Sequence, residues 1–589
     1  MVQSRTHNCN ELRLADAGKT VTLVGWFENI RKVSKNLGFL ILRDFYGTTQ
    51  IVIETEEMMG VIDELNKEST ISVTGSVRER SSKNAELPTG DIEVVPEKIE
   101  VLGKCRYNAL PFEINQSKEA DENTRLKYRY LDLRNPEVKN KIVLRSKIVA
   151  ELRQKMNSLD FMEITTPILT CSSPEGARDY LVPARNHPGK FYALPQAPQQ
   201  FKQILMASGI DRYFQIAPCF RDEDARADRS PGEFYQLDME MAFASQEDVF
   251  AVIEEVLPPV FEKYGVYTNA SKAPFVRIPY LEAMDKYGSD KPDLRIDLVL
   301  QDATEVMADC GFGPFEGNTV KAIVVDGFTA TRKVIDKICA DVEVTTANKA
   351  FWFKLDENGE LVGGISKFLQ DRKEAVVEAL GLKPGDFVGL TAGKLLAAQK
   401  TAGVLRKLLG AASEKHMKQN TYEFCWIVDF PMYEIGEESG ELEFCHNPFS
   451  MPQGGMDALK TQEPLSILAY QYDLVCNGVE LSSGAVRNHD PEIMIEAFKL
   501  VGLGEDDVKA KFPAMYNAFC YGAPPHAGIA PGVDRMFMLI CGEESIREII
   551  PFPMNKNAMD IMMGAPATVE QKQLDDVHIA IVMPNEDEE

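Results

Sequence analysis

The chain has 589 residues, of which 44% are hydrophobic and 26% charged, a composition typical of a globular protein with several domains. Its 64 basic and 90 acidic residues give a net charge of −26 and a pI near 4.9. So acidic a surface repels phosphate backbones and argues against unspecific nucleic-acid binding, so any RNA contact requires a local basic face.

Signals for targeting and for structural metal are missing from the sequence. The eleven cysteines are scattered without a CxxC pair, so we expect reduced thiols in a cytoplasmic protein and no structural zinc. The opening residues MVQSRTHNCNELRL contain no apolar segment, and no run of about 18 uncharged apolar residues occurs. Neither a secretory signal nor a membrane span is expected.

Residues 1–105 are predicted to form a small β-barrel. Short β-branched segments separated by turn residues indicate five strands: VTLVGWF, GFLILRD, TTQIVIE, STISVTGSV and DIEVVPEKIEVL. With the helix-like EEMMGVIDELNK they favour an OB-fold, which binds oligonucleotides on one face, although five strands also fit other small barrels. Four basic residues of this barrel are either the basic face that RNA requires or a solvated, charged edge of a strand and its loop: Arg31, Lys32, Lys35 and Arg43.

Residues 106–125 are predicted to be a linker or hinge, because Pro111 and the run NQS break any regular period. The next segment, TRLKYRYLDLRNPEVKNKIVLRSKIVAELRQKMNSLDFMEI, has a long helical periodicity with charged faces. The segment ITTPILT after it is strand-like. Its Pro167 has no N–H to donate, so we expect an edge or interface strand.

The composition changes between residues 288 and 420. Segments such as KAIVVDGF, KAFWFKLD and DFVGLTAG mix helical and strand patterns and carry none of the candidate chemistry. The strand-like TYEFCWIVDFPMYE then returns to the catalytic domain that precedes residue 288. The predicted segments are a catalytic domain in two parts, 126–287 and 421–560, an inserted α/β domain, 288–420, and a C-terminal extension, 561–589.

Two arginine-bearing segments lie more than 300 residues apart. One is FRDEDARADRSPGEFYQLDME, in which Arg221 ends a strand-like stretch and enters an acidic loop. The other is GIAPGVDRMFML, in which Arg535 follows Gly532 at the start of an apolar helix. Alone, Arg221 is typical of a surface salt bridge, and Arg535 of an arginine near Asp534 at the start of a helix. Because guanidinium groups grip phosphate oxygens in pairs, the combination favours an enzyme that makes an acyl-adenylate from ATP.

A third segment, YDLVCNGVELSSGAVR, carries two further candidate features. Asp473 and Glu480 can lie on adjacent strands of a hairpin, and paired carboxylates beside a triphosphate suit Mg²⁺. Arg487 follows small residues that leave room for a ligand. Together with Lys202, in LPQAPQQFKQILM, it would match the charge of a substrate carboxylate. If the bound substrate were asparagine, whose side chain is uncharged, these two buried cations would lack a partner, at a cost of several kcal/mol.

These segments, in this order, resemble the bacterial-type aspartyl branch of the class II aminoacyl-tRNA synthetases. TTPIL resembles motif 1, the Arg221 segment motif 2 and the Arg535 segment motif 3. RLKYRYLDLR, PEGARDYLVPAR, FYALPQ, YGSDKPDLR and WIVDFPM extend the resemblance over nearly the whole chain. It implies an α+β multidomain fold: an N-terminal OB-fold barrel, an antiparallel six-stranded catalytic sheet with flanking helices, and the insert between motifs 2 and 3.

The resemblance also implies roles for individual residues. ATP binding is implied for Arg221 on the α-phosphate, Glu223 and Phe234 on the adenine, Arg535 on the γ-phosphate, and for Glu480 and Gly532; Arg221 and Arg535 are the catalytic pair. Aspartate binding is implied for Glu175, Gln199, Lys202, Arg221, Asp238, His446 and Arg487, with Asp238 holding Lys202. The metal pair is Asp473 and Glu480, the anticodon residues are Phe39, Gln50 and Glu93, and Pro167 lies at a dimer interface.

The implied enzyme is a cytoplasmic homodimer that uses ATP and Mg²⁺ to join L-aspartate to tRNA(Asp). Whether tRNA(Asn) is also charged stays open. Two departures concern the pocket, since Ala197 replaces a usual serine and Asn447 a usual second histidine. An alternative is an enzyme that passes aspartyl-adenylate to ammonia, but such relatives lack an OB domain. A non-catalytic tRNA-binding protein is disfavoured, because Arg221, Lys202, Arg487 and Arg535 are all present.

Overall fold

The computed structural model describes residues 4–172, 177–436 and 439–583. The chain divides into two compact units, Met1–Ser117 and Lys118–Glu589, and this division falls within the predicted linker. Throughout these described ranges, no helix is both long enough and apolar enough to cross a membrane.

The first unit is a closed five-stranded barrel, with strand order β1-β2-β3-β5-β4. Its strands are β1 Thr20–Lys32, β2 Gly38–Arg43, β3 Thr48–Ile53, β4 Thr70–Glu79 and β5 Ile92–Gly103, with helix α1 Glu56–Asp63 between β3 and β4. Alternating side chains of β1 and β2 point into an apolar core, as in Leu23 and Leu40. The five predicted strands and the barrel are therefore confirmed.

The second unit begins with helices and the first strands of the large sheet. Its elements up to residue 287 are α2 Glu122–Lys127, α3 Arg129–Asp132, α4 Pro136–Ser158, β6 Met162–Glu163, β7 Leu181–Pro183, β8 Phe191–Ala193, α5 Gln199–Ala207, β9 Arg212–Arg221, β10 Gly232–Ala242, α6 Gln246–Tyr264, β11 Asn269–Ala270, β12 Val276–Pro279 and α7 Tyr280–Tyr287.

The predicted insert forms a sheet of its own, with order β13-β14-β17-β15-β16 and antiparallel pairing throughout. Helices and strands alternate as predicted, but the antiparallel pairing makes the sheet unlike that of a parallel α/β unit. Its elements are β13 Leu300–Asp302, α8 Thr304–Met307, β14 Thr319–Val325, α9 Arg332–Thr346, β15 Ala350–Leu355, β16 Leu361–Val362, α10 Lys373–Leu380, β17 Phe387–Gly393 and α11 Leu395–Ala411.

The chain then returns to the large sheet. The remaining elements are β18 Thr421–Tyr422, β19 Phe424–Val428, β20 Tyr433–Ile435, β21 Leu442–Phe444, α12 Gly455–Thr461, β22 Gln471–Cys476, β23 Val479–Val486, α13 Pro491–Leu500, α14 Glu505–Lys511, α15 Pro513–Cys520, β24 His526–Ile529, α16 Val533–Cys541 and α17 Gln571–Asp576.

The large sheet has eight strands, in the order β12-β19-β22-β23-β24-β10-β9-β6. The six central strands pair antiparallel, as predicted, and the short edge strands β12 and β6 pair in parallel. Strand β22 is buried along its whole length. Aromatic side chains join the sheet to α6, where Trp426 stacks on Phe250 with ring centroids 4.0 Å apart. The strands that carry the candidate residues are thus fixed on a buried core.

The predicted long helix is divided into α2, α3 and α4. Helix α4 starts anew because the Asn135 side chain accepts from the Glu137 N–H and Pro136 occupies the first turn. The predicted charged faces are partly buried. Arg125 donates to Glu548 at 2.7 Å, and Arg129 donates to main-chain carbonyls of residues 550 and 551.

The prediction of a strand over ITTPILT is wrong. Only β6, Met162–Glu163, pairs with the sheet, and residues 164–169 run as irregular chain. The Thr166 N–H donates to the side chain of Gln215 instead of to a neighbouring strand, and Pro167 has no N–H to extend the ladder. Ile168 and Leu169 are half exposed.

Candidate active site

The second unit contains a cavity of about 660 Å³. Helix α5, strands β9, β10 and β23, the loop 444–449 and the start of α16 form its walls. The sequence-predicted residues that line it are Gln199, Lys202, Arg221, Glu223, Phe234, Asp238, His446, Glu480, Arg487, Gly532 and Arg535. Residues separated by more than 300 positions therefore meet in one site.

Four buried charges lie at one end of the cavity. Lys202 Nζ is 2.6 Å from Asp238 Oδ1 and 3.4 Å from Glu240 Oε2. Arg487 Nε donates to Glu240 Oε1 at 2.9 Å, and its Nη2 donates to Oε2 at 3.3 Å. All four side chains are at most 3% exposed. Two cations and two carboxylates offset one another, because an unpaired buried charge costs several kcal/mol.

Glu240 was not among the predicted site residues. Asp238 and Glu240 are two positions apart on β10, so their side chains share one face of the strand, and this alternation is the signal that could have found Glu240. Burial opposes ionisation of Glu240, but Arg487 and Lys202 outweigh it and hold the pKa of Glu240 below its usual range. Burial raises the pKa of Asp238 in spite of Lys202.

The neighbouring strand β24 makes room for this carboxylate. A Cβ at Gly528 would lie 2.0 Å from Glu240 Oε2 and 2.3 Å from the Met239 carbonyl oxygen, so only glycine fits there. On the far side, His526 Nε2 lies 3.2 Å from the Gln203 side-chain oxygen, and both residues are fully buried. Sequence reasoning gave no role to Gly528, His526 or Gln203.

Several buried polar atoms around the cavity have no hydrogen-bond partner within the described ranges. They include Gln199 Nε2, Arg221 Nε and Asp238 Oδ2, and the Tyr213 hydroxyl near Asp238 is likewise without a partner at hydrogen-bond geometry. The first three thus leave two donors and one acceptor for a bound molecule, since buried polar groups are normally satisfied. Arg487 uses its Nε and Nη2 for Glu240, and its Nη1 makes no hydrogen bond to any described residue. These atoms can bind a small zwitterion that carries a further carboxylate.

The other end of the cavity holds the remaining arginines. The Arg221 guanidinium lies 4.9 Å from the centroid of the Phe234 ring. Arg535 Nη1 donates to the Glu480 carbonyl at 2.9 Å, and its Nη2 lies 3.5 Å from the Asp228 carboxylate. Arginines beside an aromatic ring form a surface that suits a nucleotide.

Glu223 lines the cavity, where adenine binding was predicted for it. Its Oε2 accepts from Arg229 at 2.7 Å, and a carboxylate has further lone pairs that can accept from an adenine amino group. At Gly532 the backbone φ is −68°, and an added Cβ would meet only ordinary contacts at 3.6 Å or more. The protein itself does not require glycine at this position.

The predicted metal pair lies on the β22–β23 hairpin. Glu480 lines the cavity, whereas Asp473 is buried and does not appear among the described lining residues. Burial and the negative charge of Glu480 raise the pKa of Asp473 well above its usual range. Among the described residues, no group of three or more potential ligands gathers as a metal site of its own.

His446 and the two departures from the family pattern, Asn447 and Ala197, all line the cavity. His446 lines the cavity with its ring edge-on to Phe430, and burial lowers its pKa. The Asn447 side-chain oxygen accepts from the Phe449 N–H at 2.8 Å, so Asn447 stabilises a turn. Ala197 presents only a methyl group to the cavity. Glu175 lies outside the described residues.

The predicted anticodon residues lie on the barrel. Phe39 is half-buried on β2, with Arg31 4.9 Å from the centroid of its ring. Gln50 donates to Glu93 at 2.9 Å, and Arg78 donates to the other oxygen of Glu93 at 2.8 Å.

One member of the predicted basic face is not available to RNA. Arg43 is 4% exposed and pairs with Glu28 and Glu68, so the prediction of an exposed Arg43 is wrong. Leu40 and Leu42 fill the core, so alternation places Arg43 on the outer face of β2, where Glu28 and Glu68 compensate its charge.

Comparison with known proteins agrees with this architecture. Residues 121–556 match the family described as tRNA synthetases class II (D, K and N), and residues 21–102 match the OB-fold nucleic acid binding domain. An aspartyl tRNA synthetase from Entamoeba histolytica covers 92% of this chain with a TM-score of 0.56 at 20% identity, and 89% of its own length is matched. Asparaginyl-tRNA synthetase from Pyrococcus horikoshii, complexed with asparaginyl-adenylate, covers 94% with a TM-score of 0.57 at 18% identity, and 98% of its own length is matched.

Curated relatives are more similar in sequence. Aspartate–tRNA ligase from Streptomyces coelicolor is 51% identical over 590 residues, covering 99% of this chain and 100% of the relative. Aspartate–tRNA(Asp/Asn) ligase from Gluconobacter oxydans is 51% identical over 591 residues, covering 98% of each chain. The fold and site define a class II tRNA synthetase. The chain belongs to that family and, within it, to the aspartate–tRNA ligases, as its sequence predicted.

Proposed function

We propose that this chain activates L-aspartate with ATP and transfers it to the 3′ end of tRNA(Asp). The observation that carries the proposal is the end of the cavity with the four buried charges, which we call the amino-acid end; the end with Arg221 and Arg535 is the nucleotide end. At the amino-acid end, Lys202 and Arg487 are held by Asp238 and Glu240, and Arg487 keeps one nitrogen open. The side-chain carboxylate of aspartate binds that nitrogen. The amino group of aspartate donates to Asp238 Oδ2.

The reaction proceeds without a general base. The α-carboxylate of aspartate is already ionised and attacks the α-phosphate of ATP, forming the aspartyl-adenylate and releasing pyrophosphate. Arg221 stabilises the charge that develops on the α-phosphate, and Arg535 binds the γ-phosphate. A terminal ribose hydroxyl of the tRNA then attacks the adenylate carbonyl, and AMP leaves.

Magnesium fits the carboxylates on the hairpin. Mg²⁺ is usually bound by one or two carboxylates together with substrate phosphates and waters, and Asp473 and Glu480 offer such oxygens. Burial, and then the negative charge of Glu480, raises the pKa of Asp473, and a bound cation would offset the repulsion between the two carboxylates. When bound there, Mg²⁺ would neutralise charge on the phosphate oxygens.

Recognition of tRNA is assigned to the barrel, with Phe39 stacking on an anticodon base and Gln50 and Glu93 meeting base edges. We propose that the enzyme acts in the cytoplasm as a homodimer with Pro167 at the interface. Half-exposed Ile168 and Leu169 beside Pro167 support an interface there.

The first test is aspartate-dependent exchange of pyrophosphate into ATP by the purified chain. Exchange is expected with aspartate and not with asparagine. Arg487→Leu should abolish exchange, because the substrate's side-chain carboxylate loses its partner, while ATP still binds in a calorimetric titration. Normal exchange by Arg487→Leu would contradict the assignment of the pocket.

A second test concerns the tRNA. A relative named aspartate–tRNA ligase and a relative named aspartate–tRNA(Asp/Asn) ligase are equally similar to this chain, at 51% identity each. Aminoacylation with labelled aspartate on each purified tRNA decides between them. Charging of tRNA(Asp) alone makes the enzyme discriminating, and charging of both makes it non-discriminating. Charging of neither, with exchange intact, would favour the amide-forming alternative.

A further inference from the structure

Lys291 lies beside the nucleotide end of the cavity and has no part in the mechanism described above. It follows helix α7 in the segment YGSDKPDLR, at the start of the insert. Its Nζ is 2.9 Å from Asp290 Oδ2 and 3.2 Å from Glu480 Oε2. Glu480, which is 189 positions away in sequence, lines the cavity.

Glu480 is shared between two cations. Its Oε1 lies 3.7 Å from Arg535 Nη1, and its Oε2 lies 3.2 Å from Lys291 Nζ. Lys291 therefore stands next to the proposed γ-phosphate arginine, separated from it by the width of one carboxylate. The Lys291 side chain is 42% exposed, so its ammonium can exchange a carboxylate for a phosphate oxygen without leaving a buried charge unpaired.

The insert holds the segment that carries Lys291. Arg406, on α11, is 2% exposed, and its Nε donates to the Leu298 carbonyl at 2.6 Å. Its Nη2 donates to the carbonyls of Ile296 at 2.6 Å and Asp293 at 3.1 Å. One buried guanidinium thus binds three carbonyls of the segment that follows Lys291.

Helix α11 also meets this segment through a close backbone contact. A Cβ at Gly403 would lie 2.3 Å from the Gly288 carbonyl oxygen, and a Cβ at Gly288 would lie 2.2 Å from the Gln399 carbonyl oxygen. On the opposite side, a Cβ at Gly478, in the turn of the β22–β23 hairpin, would lie 3.2 Å from the Asp293 Cβ. The segment 288–298 is therefore packed between α11 and the hairpin that carries Glu480.

We propose that Lys291 binds the polyphosphate of ATP and the departing pyrophosphate, and that the insert positions it through Arg406. This inference deepens the proposed function and rests on it. It gives the insert a task within the activation step: α11 fixes the loop, and the loop delivers an ammonium group beside Arg535. The ligand is a triphosphate or pyrophosphate because the Lys291 ammonium lies one carboxylate away from the arginine assigned to the γ-phosphate, and an ammonium group donates well to phosphate oxygens.

Lys291→Ala tests the contact. Losing a charge-assisted hydrogen bond predicts a rise of about tenfold in the KM for ATP and for pyrophosphate in the exchange reaction. The KM for aspartate should stay within about twofold, and Lys291→Arg should recover part of the loss. Lys286→Ala is the matched control, because Lys286 lies on α7 and pairs only with Glu282 in an exposed i,i+4 contact among the described residues. Its KM values should match those of the wild type.

Arg406→Lys tests the positioning role, with thermal unfolding to verify that the variant folds. It should raise the KM for ATP in the same way, and the double variant with Lys291→Ala should be no worse than Lys291→Ala alone. Additive losses in the double variant would overturn the role of the insert. The same variants are titrated calorimetrically with ATP and magnesium in the absence of aspartate.

Equal ATP binding and equal KM values for wild type and Lys291→Ala would overturn the role of Lys291. Weaker ATP binding by Lys291→Ala than by the wild type supports it. A wild type that binds ATP but shows no aspartate-dependent exchange would overturn the proposed function. In that case the comparison of ATP affinity between the wild type and Lys291→Ala still tests the role of Lys291.

Discussion

Glu240 is the residue on which both buried cations of the amino-acid end depend. It binds Arg487 through two oxygens and also lies within 3.4 Å of Lys202. The side chain is fully buried, so water cannot replace it as a partner. Its position explains why Gly528 faces it, since any side chain there would occupy the space of the carboxylate.

The variant Glu240→Gln should lower the free energy of unfolding by about 3–5 kcal/mol, because it leaves a buried positive charge uncompensated. Urea denaturation of the purified variant measures the change. Glu233→Gln, at an exposed position of the same strand, is the control and should stay within about 0.5 kcal/mol of the wild type. A Glu240→Gln variant as stable as its control would show that the four-charge cluster is not tightly coupled.

Residue-level prediction from sequence succeeded where a motif carried the information. Arg221 and Arg535 both reach the cavity, as their segments indicated. Lys291 could not be found, because its contact with Glu480 spans 189 positions and depends on how the insert packs. The signal for Glu240 was present in the spacing of Asp238 and Glu240, but a strand period alone does not reveal which face covers a ligand.

At the scale of secondary structure, the helices after the linker are tied to the end of the catalytic unit. Arg125 in α2 is largely buried and pairs with Asp132 at 3.2 Å and with Glu548 at 2.7 Å. Burial opposes ionisation of Glu548, but Arg125 and then Lys141 outweigh it and lower the pKa of Glu548. Arg125 and Arg129 turn inward in the two short helices that precede α4.

Arg125→Met should destabilise the protein by about 3–5 kcal/mol at pH 7, because Glu548 loses its main partner and Asp132 loses one of its two arginines. The pH dependence follows from the sign of the shift. A lowered pKa of Glu548 stabilises the fold above the ordinary pKa near 4.5, and this stabilisation is lost as the pH falls through the folded-state pKa. The variant should therefore show a smaller fall in Tm than the wild type between about pH 5 and pH 3.

Thermal unfolding of both proteins across this pH range provides the measurement. Arg332→Met, at an exposed i,i+4 pair with Asp336, is the control and should follow the wild-type curve. Parallel curves for Arg125→Met and the wild type would contradict the proposed role of the ion cluster.

Elements were predicted well where the local pattern and the packing agree. The five barrel strands show alternation that burial reproduces, as in β1. The segment ITTPILT has strand composition, but only its ends bond to strands of the described chain, Ile164 to β9 and Thr170 to β8, and no ladder continues between them, so tertiary structure overrode propensity. The insert was recognised by its change in composition, but antiparallel pairing in its sheet is a topological property that alternation of helices and strands does not reveal.

At the scale of the whole molecule, recognition and chemistry are assigned to separate compact units. The closed barrel has its own apolar core, and every described residue that lines the cavity lies between positions 197 and 546, in the second unit. A chain that begins at Lys118 therefore keeps all the described groups that bind aspartate and ATP in the proposed mechanism.

The fragment 118–589 should catalyse aspartate-dependent pyrophosphate exchange with a rate within about fivefold of the full chain, because the activation step uses no described residue of the barrel. Aminoacylation of tRNA(Asp) should fall much further, by about a hundredfold or more, since losing several stacking and base-edge contacts costs about 3 kcal/mol or more. The fragment 1–117 should unfold cooperatively by itself, because a closed barrel leaves no sheet edge unpaired. Loss of exchange by a folded 118–589 fragment would contradict this division of labour, and equal losses in exchange and aminoacylation would show that the barrel supports activation itself.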